Sequence, residues 1–239
     1  MSKVFITFGA GSQDYLEAVQ RLTGQARALH LFDSIVGFTD VDLRADEAFW
    51  AKHGTFIEKH NRGFGYWIWK PYLILKTMQT LKDGDLLLYA DAGCEIDVSK
   101  RHEMQKSFEI AKLDRLVGTT TPHREISWSK MDVVRKIDVV DPCHLNTDQR
   151  QATAILFLVC PETSELVSKW YELACDYHLI DDSRSNAANI PEFCQHRHDQ
   201  SIFSLLSKKL HLYSLRTTLR TSIRLSRNRT GLSILPPSK

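Results

Sequence analysis

The chain has 239 residues, 43% hydrophobic and 25% charged, which is enough for one large domain with a substantial core. A formal net charge of +2 points away from a nucleic-acid binder. The balance is uneven, because from Ser214 onward there are five arginines, one lysine and no acid, so the rest of the chain is net acidic. Five cysteines (Cys94, Cys143, Cys160, Cys175, Cys194) show no CxxC or finger spacing, which predicts reduced, mostly buried thiols and a cytoplasmic setting. No apolar leader is visible before Lys3, and no uncharged run approaches the roughly 20 apolar residues of a membrane span.

Val4 to Phe8 is a continuous apolar run, as expected of a strand buried on both faces. Gly9-Ala10-Gly11 ends it, and Ser12 is placed to cap a helix to about Ala28, with Tyr15, Ala18, Val19, Leu22 and Ala26 on one face. Ser34 to Phe38 reads as a second strand, so the chain opens as an open α/β sheet does. Pro71 suits the first turn of a helix that Asp83-Gly84 stops. Asp85 to Ala90 is the clearest buried strand. Leu116–Thr119 and Ala154–Val159 are further strands, the second leading into a helix from Pro161 to Tyr177. Asp181 to Pro191 is polar and loop-like, Asp199 to Lys209 is helical, and Leu210 to Leu215 is a candidate last strand.

Three segments carry chemistry. In Tyr89-Ala90-Asp91-Ala92-Gly93-Cys94-Glu95, a hydrophobic strand runs into an acid and a glycine, where open α/β sheets bind ligands. A carboxylate there contacts a diphosphate through a hard divalent cation, or contacts a ribose hydroxyl; an ordinary aspartate in a strand-ending turn is the alternative. Arg62-Gly63-Phe64-Gly65-Tyr66-Trp67-Ile68-Trp69-Lys70-Pro71 sets two cations and three large aromatics before a helix start, which suits phosphates and a base or sugar ring. An aromatic cluster packing one end of the core is the alternative, aromatic stripes being more often core than site, and Trp67 or Trp69 is expected to be mainly structural. His196-Arg197-His198-Asp199-Gln200-Ser201 precedes an apolar helix. There Asp199 either caps the helix or handles an acceptor proton beside His198 and Arg197. His196 and His198 lack zinc-ligand spacing. Gly9-Ala10-Gly11 lacks the third glycine of a dinucleotide fingerprint, since position 14 is Asp, and reads as a tight turn that touches a nucleotide.

In these segments the chain resembles a family of small bacterial glycosyltransferases of the GT-A, nucleotide-diphospho-sugar-transferase type. The likeness lies in Arg62 to Pro71, Gly84 to Cys94 and His196 to Ser201, and spans roughly residues 3 to 210. It implies a single α/β domain over residues 1–213 with a Rossmann-like open mixed sheet flanked by helices, followed by a basic tail over 214–239. It also implies transfer of a sugar from a nucleotide-diphosphate donor, a UDP-sugar foremost, to a hydroxyl of a glycan or lipid-linked glycan in bacterial surface-glycan synthesis.

The implied donor residues are Phe8, Gly9, Arg62, Tyr66, Trp69, Lys70, Asp91, Ala92, Gly93 and Arg197, and the implied catalytic pair is Asp199 and His198. Asp91 stands where this type binds Mn²⁺ or Mg²⁺. Gly93 replaces a second acid, so Glu95 or Asp97 would have to supply the other oxygen, or Asp91 and phosphates alone would hold the metal. Lys70, Arg124, Lys130 and Arg197 are candidates to stabilise the leaving diphosphate. A sugar nucleotidyltransferase and a non-catalytic carbohydrate- or nucleotide-binding protein of the same fold are the other readings. In the tail, Leu215, Leu219 and Ile223 are each followed by an arginine (Arg216, Arg220, Arg224), which predicts an interfacial helix docking on an anionic inner-membrane face.

Overall fold

A computed structural model describes residues 1–212, 214 and 219–236. Its centre is a five-stranded mixed sheet. β1 (Lys3–Phe8) lies between β2 (Ser34–Phe38) and β3 (Leu86–Ala90), parallel to both. A two-residue strand, β4 (Glu95–Ile96), follows β3 outside this sheet. β5 (Leu116–Arg124) and β6 (Asp148–Leu158) complete the sheet in the order β2-β1-β3-β6-β5, with β6 antiparallel to both neighbours. The domain is thus an α/β fold with a mixed sheet covered by helices on both faces.

Alternation along β3 shows why its sequence is uniformly apolar. Leu87 and Tyr89 point into one core with Ile6, Ile155 and Phe157, under the helices Trp69–Met78, Pro161–Ala174 and His198–Lys209. Leu86, Leu88 and Ala90 point into the other with Phe5, Leu22, Met104 and Phe108, under the helices Gln13–Ala28 and Arg101–Asp114. At about 25 cal/mol per Å² of apolar area removed from water, each fully buried leucine in this strand contributes roughly 2 kcal/mol.

Several boundaries differ from expectation. The helix expected from Pro71 begins at Trp69, and the one expected to reach Tyr177 stops at Ala174. β5 and β6 are longer than their apolar stretches, because each pairs on through polar residues at the same sheet edge. Leu210 to Leu212 and Ser214 form no strand; Leu215 lies outside the described residues. All five cysteines are free, but Cys94 is buried while Cys143 and Cys194 are exposed, so the expectation of mostly buried thiols fails.

The C-terminal segment differs most. Leu219–Ser222 is one helical turn, and β7 (Ile223–Arg224) pairs with β4 through Glu95↔Arg224 and Ile96↔Ile223. Leu219 and Ile223 are buried in the second core, so neither is left to face a membrane, and the expected interfacial helix is not what these residues form. Leu215 and Arg216 lie outside the described residues. Among the described residues no helix is long and apolar enough to cross a membrane.

Candidate active site

The carboxyl ends of β1 and β3 open side by side, at the point where the chain leaves β1 in opposite directions along the sheet. A cleft of about 1170 Å³ lies there. Because β6 is antiparallel, its residues Gln151 to Thr153 reach the same edge, where the Asp91 amide donates to the Thr153 carbonyl at 2.8 Å. Phe8, Gly9, Arg62, Trp69, Lys70, Asp91, Ala92, Gly93, Arg197, His198 and Asp199 all line this cleft. Three segments far apart in sequence therefore converge on one site. Tyr66 does not line it; it is buried behind the wall with its ring 5.2 Å from that of His198. Of Trp67 and Trp69, one of which was expected to be mainly structural, both line the cleft, and Trp69 is the more buried.

The floor is an ion-pair chain. The Lys70 ammonium lies 3.1 Å from Asp91 Oδ1 and 3.3 Å from Asp199 Oδ2, and donates to the Ala152 carbonyl at 3.1 Å. Tyr89 donates its hydroxyl to the same Asp91 oxygen. Lys70 is fully buried, and although burial alone would depress its pKa, the carboxylates of Asp199 and Asp91 hold it above the ordinary lysine value. Asp199 is raised to about 6, by burial first and by the Asp91 charge, with Lys70 opposing. Asp199 is not the helix cap considered from sequence: Arg197 occupies that position, and Asp199 is the second residue of the helix. Its Oδ2 has the ion pair with Lys70 but no aligned hydrogen bond.

The wall beside this chain is built from a left-handed turn. Gly63, Phe64, Gly65, Tyr66 and Trp67 have φ of 59°, 52°, 80°, 51° and 63° in succession. L-residues in this region cost roughly 1–2 kcal/mol each, and such residues normally occur singly. The two glycines reduce that cost, and the amides of Tyr66 and Trp67 close the turn on the carbonyls of Arg62 (2.8 Å) and Gly63 (3.1 Å). Gly65 also approaches Ile57 so closely that a Cβ would lie 2.6 Å from its side chain. The Trp69 indole N–H donates to the Gly63 carbonyl at 2.9 Å, and its ring packs on Phe8 with centres 4.0 Å apart.

Trp67 lies against His198, with ring centres 5.2 Å apart and planes 26° from parallel. His198 itself has φ 54°, a second departure concentrated at the site. Its Nδ1–H donates to the Ile180 carbonyl at 2.8 Å, and burial above all lowers its pKa to about 4, so it is neutral near pH 7 with Nε2 free to accept. His196 lies outside the cleft: one ring nitrogen donates to the Leu179 carbonyl and the other accepts from the Lys130 amide. Arg124 and Lys130 do not line the cleft either, and Lys130 instead pairs with Asp181 at 2.9 Å.

The opposite wall was not expected from sequence. The C-terminal segment returns along the cleft and brings Arg220, Arg227 and Arg229 to its lining, which also includes Arg197. Arg197 stacks on Trp128 at 4.2 Å, and its pKa is lowered by burial and then by the nearby charges of Arg227 and Arg62. The clustering of arginines in the tail is visible in the sequence, but their destination depends on docking over 200 residues away in the chain.

The donor set fits a divalent cation poorly. Asp91 Oδ1 is taken by Lys70 and Tyr89, and a metal between Asp91 and Asp199 would meet the Lys70 ammonium. Glu95 binds the C-terminal segment, Asp97 accepts from the Ser99 amide, and neither lines the cleft beside Asp91. Among the described residues no three His, Cys, Asp or Glu side chains are grouped to hold a metal.

No family model matches the chain, and no curated protein matches it. Among solved structures, mouse xyloside xylosyltransferase 1, apo form, is similar over 90% of this chain and 85% of its own, at 10% identity and a TM-score of 0.45. Mannose-6-phosphate isomerase from Helicobacter pylori is similar over 72% of this chain and 81% of its own, at 11% identity and a TM-score of 0.36. Likenesses this distant carry no functional argument.

Proposed function

We propose that the cleft is the active site of a glycosyltransferase that moves a sugar from a nucleotide-diphosphate donor to an acceptor hydroxyl. The observation that carries this reading is the Asp91–Lys70–Asp199 chain, in which a carboxylate raised to about 6 stands beside a buried ammonium at the floor of a cleft rimmed by guanidiniums. A cleft of about 1170 Å³ exceeds the ~300–1,000 Å³ common for drug-sized ligands and suits a nucleotide carrying a sugar.

Each group has a part in the reaction. The acceptor oxygen attacks the anomeric carbon, the bond from that carbon to the diphosphate breaks, and the acceptor proton must leave. Asp199, ionised above about pH 6, takes that proton. Lys70 keeps Asp199 and Asp91 in place and contributes positive potential beneath the diphosphate as its charge grows. Neutral His198 accepts a hydrogen bond at Nε2 and orients a hydroxyl. Phe8, Trp67 and Trp69 give flat apolar surface for the base or sugar ring. The UDP donor and the surface-glycan acceptor belong to this proposal through the motif resemblance alone.

Donor turnover across a panel of sugar nucleotides, with wild type and Asp91→Asn, tests the reading. Asp91→Asn keeps the shape and removes the charge that fixes Lys70, so turnover should fall at least about a hundredfold, as on loss of an electrostatic stabiliser. Near wild-type turnover in a folded Asp91→Asn protein sinks it.

A further inference from the structure

The cleft wall formed by the C-terminal segment has features that the transfer reaction alone does not require. Among the described residues, Arg197, Arg220, Arg227 and Arg229 have no carboxylate partner, and the two acids that line the cleft, Asp91 and Asp199, are both engaged by Lys70. Arg220 donates to Gln151 at 3.0 Å and to the Thr120 carbonyl, and Arg229 lies over the Tyr15 ring at 5.3 Å. Guanidiniums gathered without counter-charge repel, and the pKa of Arg197 is lowered by burial first and then by the charge of Arg227. A bound anion removes the repulsion.

The segment is also held from beneath by two buried charges that have no part in the floor. Arg21, on the helix Gln13–Ala28, donates to the carbonyls of Thr230, Asn228 (3.2 Å), Ala92 (2.8 Å) and Cys94 (2.9 Å). It thereby ties the turn after β3 to the C-terminal segment. Glu95 accepts from Asn228 Nδ2 (2.7 Å), the Ile234 amide (3.1 Å) and Ser233. Gly93 lies between these two anchors. A Cβ there would stand 3.3 Å from the Ser226 carbonyl and 3.5 Å from Arg227 Cα, so the absence of a side chain lets the segment lie against the turn. Two residues after Asp91 the chain therefore has no second carboxylate, and an arginine-bearing segment takes the space.

We propose that residues 225–230 form one side of a metal-independent anion site in which Arg227 and Arg229, together with Arg197, bind a pair of linked phosphates, and that Arg21 and Glu95 are its positioning residues. The inference rests on the glycosyltransferase reading for the source of the diphosphate, but the site itself does not. Guanidinium forks bind phosphate oxygens directly and bidentately, whereas a carboxylate pair needs an intervening cation.

Inorganic pyrophosphate is the probe, titrated calorimetrically into the full chain in EDTA and again with added Mg²⁺. We expect binding in EDTA, little change with Mg²⁺, and at least about tenfold weaker binding in R227A/R229A, whose side chains are exposed, so that the variant should melt close to wild type. Arg21→Ala should also weaken binding, yet add nothing further in the R227A/R229A background, because a positioning residue acts through the groups it places. A purely structural role for Arg21 would give additive losses and overturn its assignment. Pyrophosphate binding that requires Mg²⁺, or that survives R227A/R229A, overturns the site. Binding with the expected arginine dependence but no sugar transfer would sustain the anion site while sinking the transferase reading, so the two fail separately.

Discussion

Lys70 holds its ammonium 3.3 Å from the Asp199 carboxylate with both side chains almost sealed from solvent, at 4% and 5% exposure. Each charge is tolerable because the other is there. Removing one partner of a buried pair leaves the other unpaired and typically costs ~3–5 kcal/mol. Lys70→Met should therefore lower the melting temperature by roughly 10 °C, given ~2–4 °C per kcal/mol for a domain this size. Adding Asp199→Asn should restore much of that loss. A Lys70→Met protein that melts with wild type would show that the pair is not what the geometry implies.

Asp199 also sets a pH window. Its carboxyl titrates at about 6 in the folded protein, raised from 3.8 chiefly by burial, with the Asp91 charge adding to the rise. A folded-state pKa above the unfolded value means that the folded chain binds this proton more tightly. The contribution of Asp199 to stability therefore declines as pH rises from about 4 to about 6. Activity moves the other way, since a base must be ionised: kcat/KM should rise through about pH 6 and level off. In Asp199→Asn the acid limb should vanish together with most of the turnover. A limb that persists in that variant assigns the base elsewhere.

The parts of the fold that were legible are those in which neighbouring residues alone decide the structure. Asp85 to Ala90 reads as a buried strand, and Leu86 to Ala90 forms one, because both faces must be apolar; the segments around Arg62, Asp91 and Asp199 fall on element ends that place them at one sheet edge. The helix Arg101–Asp114 has helical spacing in Met104, Ser107, Phe108 and Ala111, but a serine interrupts its apolar stripe. Leu219 and Ile223 misled because an interval of four fits a helix face, while here one residue sits in a helical turn and the next in a strand, both directed at the same core. That outcome depends on β4 and on Arg21, which lies 209 residues before the Thr230 carbonyl it binds. No local pattern encodes such a contact.

Gly65, like Gly63 in the same turn, should resist replacement. At φ 80° and 2.6 Å from Ile57, an added Cβ is strained and overlaps a packed side chain. Gly65→Ala should cost more than about 2 kcal/mol in a urea titration and depress turnover by moving Trp67 and Trp69. Gly24, inside the helix Gln13–Ala28 with open space at its Cβ position, is the control. There Gly24→Ala should stabilise by roughly 0.5–1 kcal/mol. Equal responses at the two positions would mean that the left-handed turn does not govern the wall.

Asp132 controls a loop at the edge of the cleft. Its carboxylate accepts from Ser185 Oγ (2.6 Å) and the amides of Asn186 (2.9 Å) and Ala187 (2.8 Å), and it pairs with His178 at 3.0 Å. The same loop carries Asp182, which takes the Arg62 guanidinium at 2.8 and 2.9 Å. Although its partial burial acts the other way, these hydrogen bonds lower the Asp132 pKa to about 2. A depressed carboxyl contributes stability that is fully present above about 4 and is lost as pH falls through about 2, so the loop should stay closed at neutral pH and loosen in acid. Asp132→Ala should mimic the acid state at pH 7, with faster amide exchange across 181–189 and unchanged protection in β1 and β3. Because Arg62 would lose its anchor, KM for the donor should rise several-fold while kcat changes little. Unchanged exchange in the loop of Asp132→Ala would mean that its other contacts suffice to hold it.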